Sequence, residues 1–535
     1  MRSAWAFAMC TMLLSHPVMD GLPPSLHARP GAPQSMAQLE AAASRGDAEA
    51  AHELGERYFY GKAGLSKDAA KAVAWYGKAA AQGHAGALAD LGWCHLNGAG
   101  GLPVDDSQAM TCFRAAAEKK HLFALRMLGW MHEVGRGTPA NDTEAASWYE
   151  KAAQGGDVDA LVNLAWLTEQ GRGVPKNDLA AAEMYAVGVS HGNAIALNNL
   201  GWIYVAGRGG LDKNYELARH MFESASALGN ARADGNLAHL YETGLGVTPN
   251  ISTSMRYLRN SAEAGDVTSQ LHLGFLYASG QVVLRDAGKA FHYFLLAAAQ
   301  GDASAYQGLQ GLLLMRQDIA PEDASKAAGL FQDQAARGNK NARPCLALVL
   351  LYGLGTETKV DAAKQLLLEE ARSESPSPIL LLLIKHLQWG LGSTKDPAFA
   401  KSLLQTLADH GSPDLKVELA KSLLNDPGDG PAKGLGLLRK LHEEKNAKAT
   451  FELGLLYQNG RGVPLAPTKA LELFRQAAER GSGEAMFHLG VLYQSGIGVK
   501  KQAAEARQWY LKAEAAGWLP ARGHVLPDGK LAPLN

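Results

Sequence analysis

The chain has 535 residues and a formal net charge of -1, so it lacks the basic excess that general nucleic-acid binding requires. Apolar residues make up 47% of the sequence, but no apolar run approaches the roughly 20 residues of a membrane-spanning helix. We therefore expect a globular protein that has no transmembrane span and does not bind nucleic acid.

The N-terminus differs in composition from the rest of the chain. Residues 1–15, MRSAWAFAMCTMLLS, carry one arginine followed by an apolar segment, which predicts a secretory signal peptide. The Pro-rich residues 16–35 predict a flexible linker. Leu26-His27-Ala28 is a poor cleavage site because leucine is not small. We interpret the protein as exported to the periplasm or secretory pathway. The alternative is a cytoplasmic protein whose translation start is wrongly assigned.

Two columns of residues recur along the remaining sequence. The first consists of thirteen leucines, the reference leucines, spaced by 36 or 37 residues with one step of 34: Leu54, Leu91, Leu128, Leu164, Leu200, Leu237, Leu273, Leu309, Leu346, Leu383, Leu419, Leu453 and Leu489. The second, the ring column, holds large apolar or aromatic residues: Tyr76, Phe113, Tyr149, Tyr185, Phe222, Leu258, Phe294, Phe331, Leu368, Leu404, Leu438, Phe474 and Tyr510. Two columns with the same steps indicate a tandem repeat array.

Each repeat is predicted to form two helices. In the fifth repeat, Asn193–Val205 has helical apolar spacing, AGRGG interrupts it, and Tyr215–Ala227 resumes it. The residue after the reference leucine is Gly or Ala in eleven repeats, which predicts a close approach of the paired helix. The G-x-G that follows the first helix predicts a left-handed turn. We expect Asp68, Asn141-Asp142 and Asp178 to cap second helices.

A lone helix pair cannot bury both apolar faces, so neighbouring pairs must stack. The pattern therefore predicts an all-α solenoid of about thirteen two-helix repeats. Ala485–Val499 followed by Arg507–Gly517 closely resembles the SEL-one-like repeat (SLR), a longer-looped relative of the tetratricopeptide repeat. This resemblance implies a right-handed α/α superhelix with a concave groove.

The resemblance extends from about residue 36 to residue 517 and suggests a division of the chain. Residues 36–46 are expected to form an N-terminal capping helix, 47–304 a conforming SLR array, 305–446 degenerate units, 447–517 conforming C-terminal units, and 518–535 a loose tail. In the degenerate part Gln310 and Ile384 occupy the small position, yet both columns persist, so we expect helices there as well.

No motif in the chain indicates catalysis, a cofactor or a metal site, since P-loop, H-E-x-x-H and G-x-S-x-G patterns are absent. His95 and His132 are equivalent in adjacent repeats, but stacked helices lie about 8–10 Å apart, too far for a shared Zn²⁺. We interpret Cys94 and Cys112, on the two helices of one repeat, as separate buried thiols, with a disulfide as the alternative.

One constellation suggests a binding surface. Six successive repeats place Trp93, Trp130, Trp166, Trp202, His239 and Phe275 two residues after the reference leucine. We call these residues the aromatic row. The resemblance implies that this position faces the groove, where aromatic rings suit an extended peptide or sugar chain. Packing against the next repeat is the alternative interpretation. Later repeats lack the aromatic residue, which favours the N-terminal half as the binding half.

The predicted function is a non-catalytic scaffold that binds a protein or peptide partner in the groove. The resemblance implies roles such as adaptor in membrane-protein complexes, secretory quality control, envelope assembly or host contact. The alternative is an exported protein that binds a cell-envelope glycan such as peptidoglycan, suggested by the tryptophans and the predicted signal peptide. Relatives described as acting on β-lactams carry regularly spaced cysteine pairs, which this chain lacks, so we do not predict an enzyme.

Overall fold

The structure is a computed structural model that describes residues 35–315, 319–390, 395–521, 524–526 and 530–532. The predicted signal peptide, Cys10 and the predicted linker up to residue 34 lie outside these residues. Within the described residues the chain forms twenty-seven α-helices and no β-strand, which confirms the all-α prediction. None of the helices described here combines the length and apolarity needed to cross a bilayer.

The first helix stands alone, and the other twenty-six form thirteen pairs in chain order. The helices are α1 (Met36–Ser44), α2 (Ala48–Tyr60), α3 (Ala69–Ala81), α4 (Ala85–Asn97), α5 (Asp106–Glu118), α6 (Leu122–Val134), α7 (Asp142–Gln154), α8 (Val158–Gln170), α9 (Asp178–Ser190), α10 (Ala194–Ala206), α11 (Tyr215–Ala227), α12 (Ala231–Thr243), α13 (Ile251–Glu263), α14 (Val267–Ser279), α15 (Ala287–Ala299), α16 (Ala303–Leu314), α17 (Pro321–Ala336), α18 (Ala342–Tyr352), α19 (Val360–Ala371), α20 (Ile379–Trp389), α21 (Pro397–His410), α22 (Pro413–Leu423), α23 (Gly430–Glu443), α24 (Ala447–Asn459), α25 (Pro467–Glu479), α26 (Gly483–Ser495) and α27 (Ala503–Ala515). Each pair corresponds to one predicted repeat, which confirms the repeat prediction.

The contacts divide the chain into two compact units that meet in sequence at Leu273 and Gly274, within α14. In the first unit, α1 precedes the first pair, and its Leu39 is fully buried beside α2. Ser35 and Gln38 form a reciprocal capping box that satisfies backbone donors at the start of α1.

The ends of the helices follow from local chemistry. The Asn193 side chain caps α10 by accepting a hydrogen bond from the Ala196 amide at 2.9 Å. Gly207 ends the same helix with φ of 65°, and its amide donates to the Ile203 carbonyl. The prediction that Asp178 caps α9 is wrong by one residue. Asn177 has the extended backbone and caps the helix, whereas Asp178 is the first helical residue.

Small residues after the reference leucines allow the two helices of a pair to approach closely. A Cβ atom on Gly201 would lie 2.7 Å from Cε1 of Phe222, closer than real carbon atoms pack. Phe222 itself is fully buried, as is nearly every member of the ring column. The exception is Leu368, which is half-buried while its neighbour Leu367 is 1% exposed, so the predicted column is displaced by one residue in this degenerate repeat.

The degenerate segment keeps its helices but has lost much of its capping. In α18, α20, α22 and α23 no side chain bonds to the first-turn amides, whereas Asp or Asn caps the second helices of the first seven repeats. Buried leucines such as Leu383 and Leu438 retain the packing between helices. We conclude that apolar burial rather than end capping holds this segment in the repeat fold.

The described part of the C-terminal tail packs on the last pair, which differs from the loose tail expected from its composition. The His524 ring stacks on Tyr510 with centroids 4.9 Å apart, and Gln494 Nε2 donates to the Ala532 carbonyl at 2.7 Å. Val525 and Leu531 form an isolated β-bridge beside the same cluster. These residues cover the apolar face that the final repeat would otherwise expose, as terminal caps of repeat arrays do.

Cys94 and Cys112 are free, buried thiols, as is Cys345. Burial raises the pKa of the Cys94 thiol to about 12 and also raises that of Cys112. Both thiols are therefore protonated at neutral pH and behave as small apolar residues, which agrees with the favoured interpretation rather than with a disulfide.

Replacing Asn250 with alanine tests whether the caps contribute to stability. The Asn250 side chain accepts a hydrogen bond from the Thr253 amide at 3.0 Å at the start of α13. We expect its loss to lower the free energy of unfolding by about 1 kcal/mol. Urea unfolding followed by circular dichroism measures this change. Asn250→Asp keeps the hydrogen-bond acceptor, so its free energy of unfolding should stay close to that of the wild type. An equal decrease in both variants would contradict a capping role.

Candidate functional site

The aromatic row occupies one position on the first helices of consecutive repeats. Its members in the first unit are Trp93, Trp130, Trp166, Trp202 and His239, which lie on α4, α6, α8, α10 and α12. All five are half-buried. Phe275 lies in the second unit, on α14, and is 36% exposed. The structure therefore places these rings at the edge of the hydrophobic clusters rather than in the fully buried core.

The rings also make aromatic contacts with their surroundings. Trp93 meets Phe59 edge to face, with centroids 5.7 Å apart. Trp202 lies 6.1 Å from the ring-column residue Phe222 and 6.0 Å from His239, the next member of the row. Contacts of this kind hold these two indoles in one orientation, so that their remaining surface is presented in a fixed geometry.

Arginines from the G-x-G turns lie over two of the indoles. The Arg136 guanidinium is 5.8 Å from the Trp130 ring, and that of Arg172 is 4.8 Å from the Trp166 ring. These distances are typical of cation–π contacts. The row is therefore a mixed surface of indole and guanidinium groups rather than a bare stack of aromatic faces.

A second column, of polar residues, was not predicted from the sequence. Asp90, Asn199, Asn236 and His272 each stand directly before a reference leucine and belong to the same helices as the row. The same position carries Met127 and Gly308 in two other repeats, so the column is not uniformly polar. The sequence pattern that would have predicted this column is the recurrence of polar residues at this offset in otherwise apolar helices.

Hydrogen bonds link part of this column to the turns. Arg208 Nη2 donates to Glu169 Oε1 at 2.5 Å, and the Tyr185 hydroxyl donates to Glu169 Oε2 at 3.0 Å. Asn199 Nδ2 in turn donates to the Tyr185 oxygen at 3.2 Å. Burial raises the pKa of the Tyr185 phenol well above its ordinary value, so the hydroxyl stays protonated and remains a donor.

The hydrogen bonds continue through asparagines toward the aromatic row. Asn198 Nδ2 donates to Asn199 Oδ1 at 3.1 Å, and Asn236 Nδ2 donates to Asn198 Oδ1 at 2.7 Å. We call the six residues Arg208, Glu169, Tyr185, Asn199, Asn198 and Asn236 the polar chain. Because it joins three consecutive repeats through buried groups, it sets their register and holds the Asn236 amide in place.

The polar chain ends at a small cavity in the first unit. The cavity measures about 30 Å³ and is lined by Trp202, Arg232, Asn236, Asp266 and His272 among others. The buried Nε1 of Trp202 has no hydrogen-bond acceptor among the described residues. A volume of this size admits one or two water-sized groups, far less than a whole drug-sized ligand needs. The cavity can therefore receive a single functional group of a larger partner.

The two histidines near the cavity are neutral at physiological pH. Burial lowers the pKa of His272 to about 4 and also lowers that of His239. His272 Nε2 lies 3.6 Å from the Glu242 carboxylate, but burial raises the pKa of Glu242 and so disfavours the negative charge that would stabilise a protonated imidazole. The site can offer hydrogen bonds and ring contacts but little positive charge from its imidazoles.

The structure does not bring His95 and His132 into a metal-ligand cluster. Among the described residues a single group of three side chains has metal-compatible spacing, and it consists of His52, Glu56 and Asp90. No sequence motif indicates a metal site at these three residues.

Comparison with known proteins agrees with the repeat architecture. The Sel1 repeat matches residues 48–84, 85–121, 122–157, 158–193, 194–230, 231–266, 267–302, 385–412, 447–482 and 483–518. An uncharacterized protein of Neisseria meningitidis serogroup B is 28% identical over 207 residues. That alignment covers 38% of this chain and 43% of the Neisseria protein, so the chain matches less than half of that relative.

Solved structures of repeat proteins are also similar. A protective antigen of uropathogenic Escherichia coli with an SLR fold is 23% identical, with 93% of this chain and 92% of that chain covered and a TM-score of 0.45. A Sel1 repeat protein from Oxalobacter formigenes is 30% identical, with 42% and 89% covered and a TM-score of 0.40. Because the Sel1 repeat itself matches well over half of the residues, this chain belongs to the Sel1 repeat family.

Proposed function

We propose that the protein is a non-catalytic scaffold that binds an extended segment of a protein partner along the aromatic row of its first unit. Sel1 repeat proteins bind protein partners, and tandem helical repeats generally do so through extended surfaces. The observation that carries the proposal is the recurrence of five half-buried rings at one position of consecutive first helices, because a repeated, partly exposed ring surface can contact an extended partner.

The composition of the surface favours a peptide over a sugar chain. Tryptophan and arginine are the residues that most often dominate protein–protein binding energy. Arg136 and Arg172 already lie over Trp130 and Trp166, which leaves less free ring face for a sugar to stack on. Asn236 lines the small cavity beside Trp202, where its amide can bond one polar group of a bound peptide.

The double variant Trp130→Ala/Trp166→Ala tests the proposal. Peptides selected from a random display library against the whole protein serve as the probe, and fluorescence anisotropy measures their affinity. We expect the double variant to weaken binding at least tenfold, about 1.4 kcal/mol. Its stability loss should stay below the roughly 3–5 kcal/mol of a fully buried aromatic, since both rings are half-buried.

Trp148→Ala is the matched control for this experiment. Trp148 is also half-buried and also contacts a cation, Lys151 at 4.1 Å, but it lies on the second helix α7. Peptide affinity should be unchanged in this variant. Equal loss in control and double variant would contradict binding at the row, and a stability loss of several kcal/mol would favour the packing interpretation. Sedimentation with purified peptidoglycan that depends on the same tryptophans would replace the proposal with glycan binding.

A further inference from the structure

A cluster of three ligand-type side chains lies at the start of the first unit. His52 and Glu56 stand four residues apart on α2, so their side chains share one face of that helix. Asp90 reaches them from α4, the first helix of the next repeat. One ligand atom from each side chain lies within 4.8 Å of the other two.

The repeat geometry explains why these groups meet. His52 Nε2 and Asp90 Oδ2 are 2.8 Å apart, and they occupy the repeat positions that Asn198 and Asn236 hold in the polar chain. Glu56 stands two residues after Leu54, at the position of the aromatic row. In the repeats of the polar chain, these three positions hold two hydrogen-bonded amides and an indole. Here the same positions hold an imidazole and two carboxylates.

The surroundings make two neighbouring carboxylates costly without a cation. The side chains of His52 and Asp90 are only 15% and 13% exposed, and Glu56 is half-buried. Like charges brought together away from water disfavour each other's ionised form. His52 carries at most one positive charge toward this pair, so a divalent cation balances the cluster better than the imidazole does.

A second observation points into the same cluster. Tyr76 is fully buried, and its hydroxyl has no hydrogen-bond partner among the described residues. Its ring lies 5.8 Å from that of His52. The equivalent Tyr185 hydroxyl contacts Asn199, whose repeat position Asp90 holds here, so the Tyr76 hydroxyl is directed toward the Asp90 side of the cluster.

We propose that His52, Glu56 and Asp90 bind one divalent transition-metal ion, with Zn²⁺ the best match. Zinc binds imidazole and carboxylate at about 2.0–2.2 Å, which places tetrahedral ligand atoms about 3.4 Å apart. Because His52 Nε2 and Asp90 Oδ2 are 2.8 Å apart, binding of the ion replaces their hydrogen bond and moves these two atoms apart to that spacing, and water completes the coordination. Mg²⁺ and Ca²⁺ prefer oxygen ligands alone and suit the imidazole poorly.

Such an ion joins α2 to α4 and therefore ties the first repeat to the second. An ion that binds only the folded state raises the free energy of unfolding. At metal concentrations above Kd, this increase grows with the logarithm of the metal concentration. The end repeats of an array have one neighbour instead of two and gain most from an added link. The proposal does not depend on the partner-binding proposal, since no member of the aromatic row takes part.

Titration of the chelator-stripped full chain with Zn²⁺, followed by calorimetry, tests the site. We expect one equivalent to bind to the wild type, and Asp90→Asn and Glu56→Gln each to weaken binding at least tenfold. Asn at 90 can still accept from His52, so the inter-repeat hydrogen bond and the fold persist in that variant. Substitution with Co²⁺ should produce the intense visible absorption of a four-coordinate site in the wild type only.

His84→Asn is the matched control. The His84 ring lies 4.5 Å from that of His52, but its nitrogens are engaged by Glu49 and by the Ala87 amide. Asparagine preserves the cap on α4, and zinc affinity should stay as in the wild type. Absence of stoichiometric zinc binding, equal affinity in Asp90→Asn and wild type, or tighter binding of Mg²⁺ than of Zn²⁺ would overturn the proposal.

Discussion

Replacing Gly129 with leucine is expected to lower the free energy of unfolding of the first unit by about 3 kcal/mol, the upper part of the range for overpacking. A Cβ atom at this position would lie 2.6 Å from Cδ1 and Cε1 of Tyr149. That ring is fully buried, and its hydroxyl donates to Glu133 at 2.7 Å, so it cannot move aside without losing the hydrogen bond. The gain in helix propensity over glycine, about 1 kcal/mol, does not offset the clash.

Gly77→Leu is the control for this variant. Gly77 also lies inside a helix, α3, but a Cβ atom there meets nothing within 4 Å. The same substitution should therefore leave stability unchanged or raise it by up to about 1 kcal/mol. Urea unfolding of both variants measures the contrast. If the two behave alike, close approach of the paired helices is not the reason for the small residue after the reference leucine.

Replacing Arg208 with methionine is expected to cost about 3 kcal/mol, because it removes the cation that pairs with a buried carboxylate. The Glu169 side chain is 8% exposed and accepts hydrogen bonds from Arg208 and Tyr185. Without the guanidinium, the buried Glu169 carboxylate keeps only the neutral donor Tyr185, which destabilises the polar chain that joins three repeats.

A second substitution separates this electrostatic cause from lost packing. In a Glu169→Gln background the charge is absent, so Arg208→Met should cost less than about 1 kcal/mol. Chemical unfolding of the two single variants and the double variant gives the coupling energy. Independent, additive effects would contradict the role of the pair and would assign the loss to the alkyl part of Arg208.

The repeat fold could be predicted almost entirely from the sequence. A leucine such as Leu237 and a ring such as Phe222 recur at steps that only stacked helix pairs satisfy, and both are buried as expected. The prediction failed by one residue at Leu368, where the repeat is degenerate and several positions are leucine. There, apolar identity alone does not distinguish the buried residue from its neighbour.

Part of the candidate site follows from the sequence pattern alone. The offset from the reference leucine identified the aromatic row, but whether Trp166 lies in the core or at its edge depends on what packs around it. The polar chain and the cluster around His52 were missed because residues that contact each other directly are separated by up to 39 positions in the sequence. Their hydrogen bonds exist only when the repeats stack in register.

The sequence by itself therefore determined the helix pairs, their number and the residues that form their shared core, because periodic apolar burial is a local pattern repeated many times. Tertiary structure alone decided which polar groups meet, as with Asn198 and Asn236 or His52 and Asp90. The physical reason is that a hydrogen bond or a metal ligand set requires atoms to agree in position within a fraction of an ångström. Apolar packing requires only that a residue face the right side of its helix.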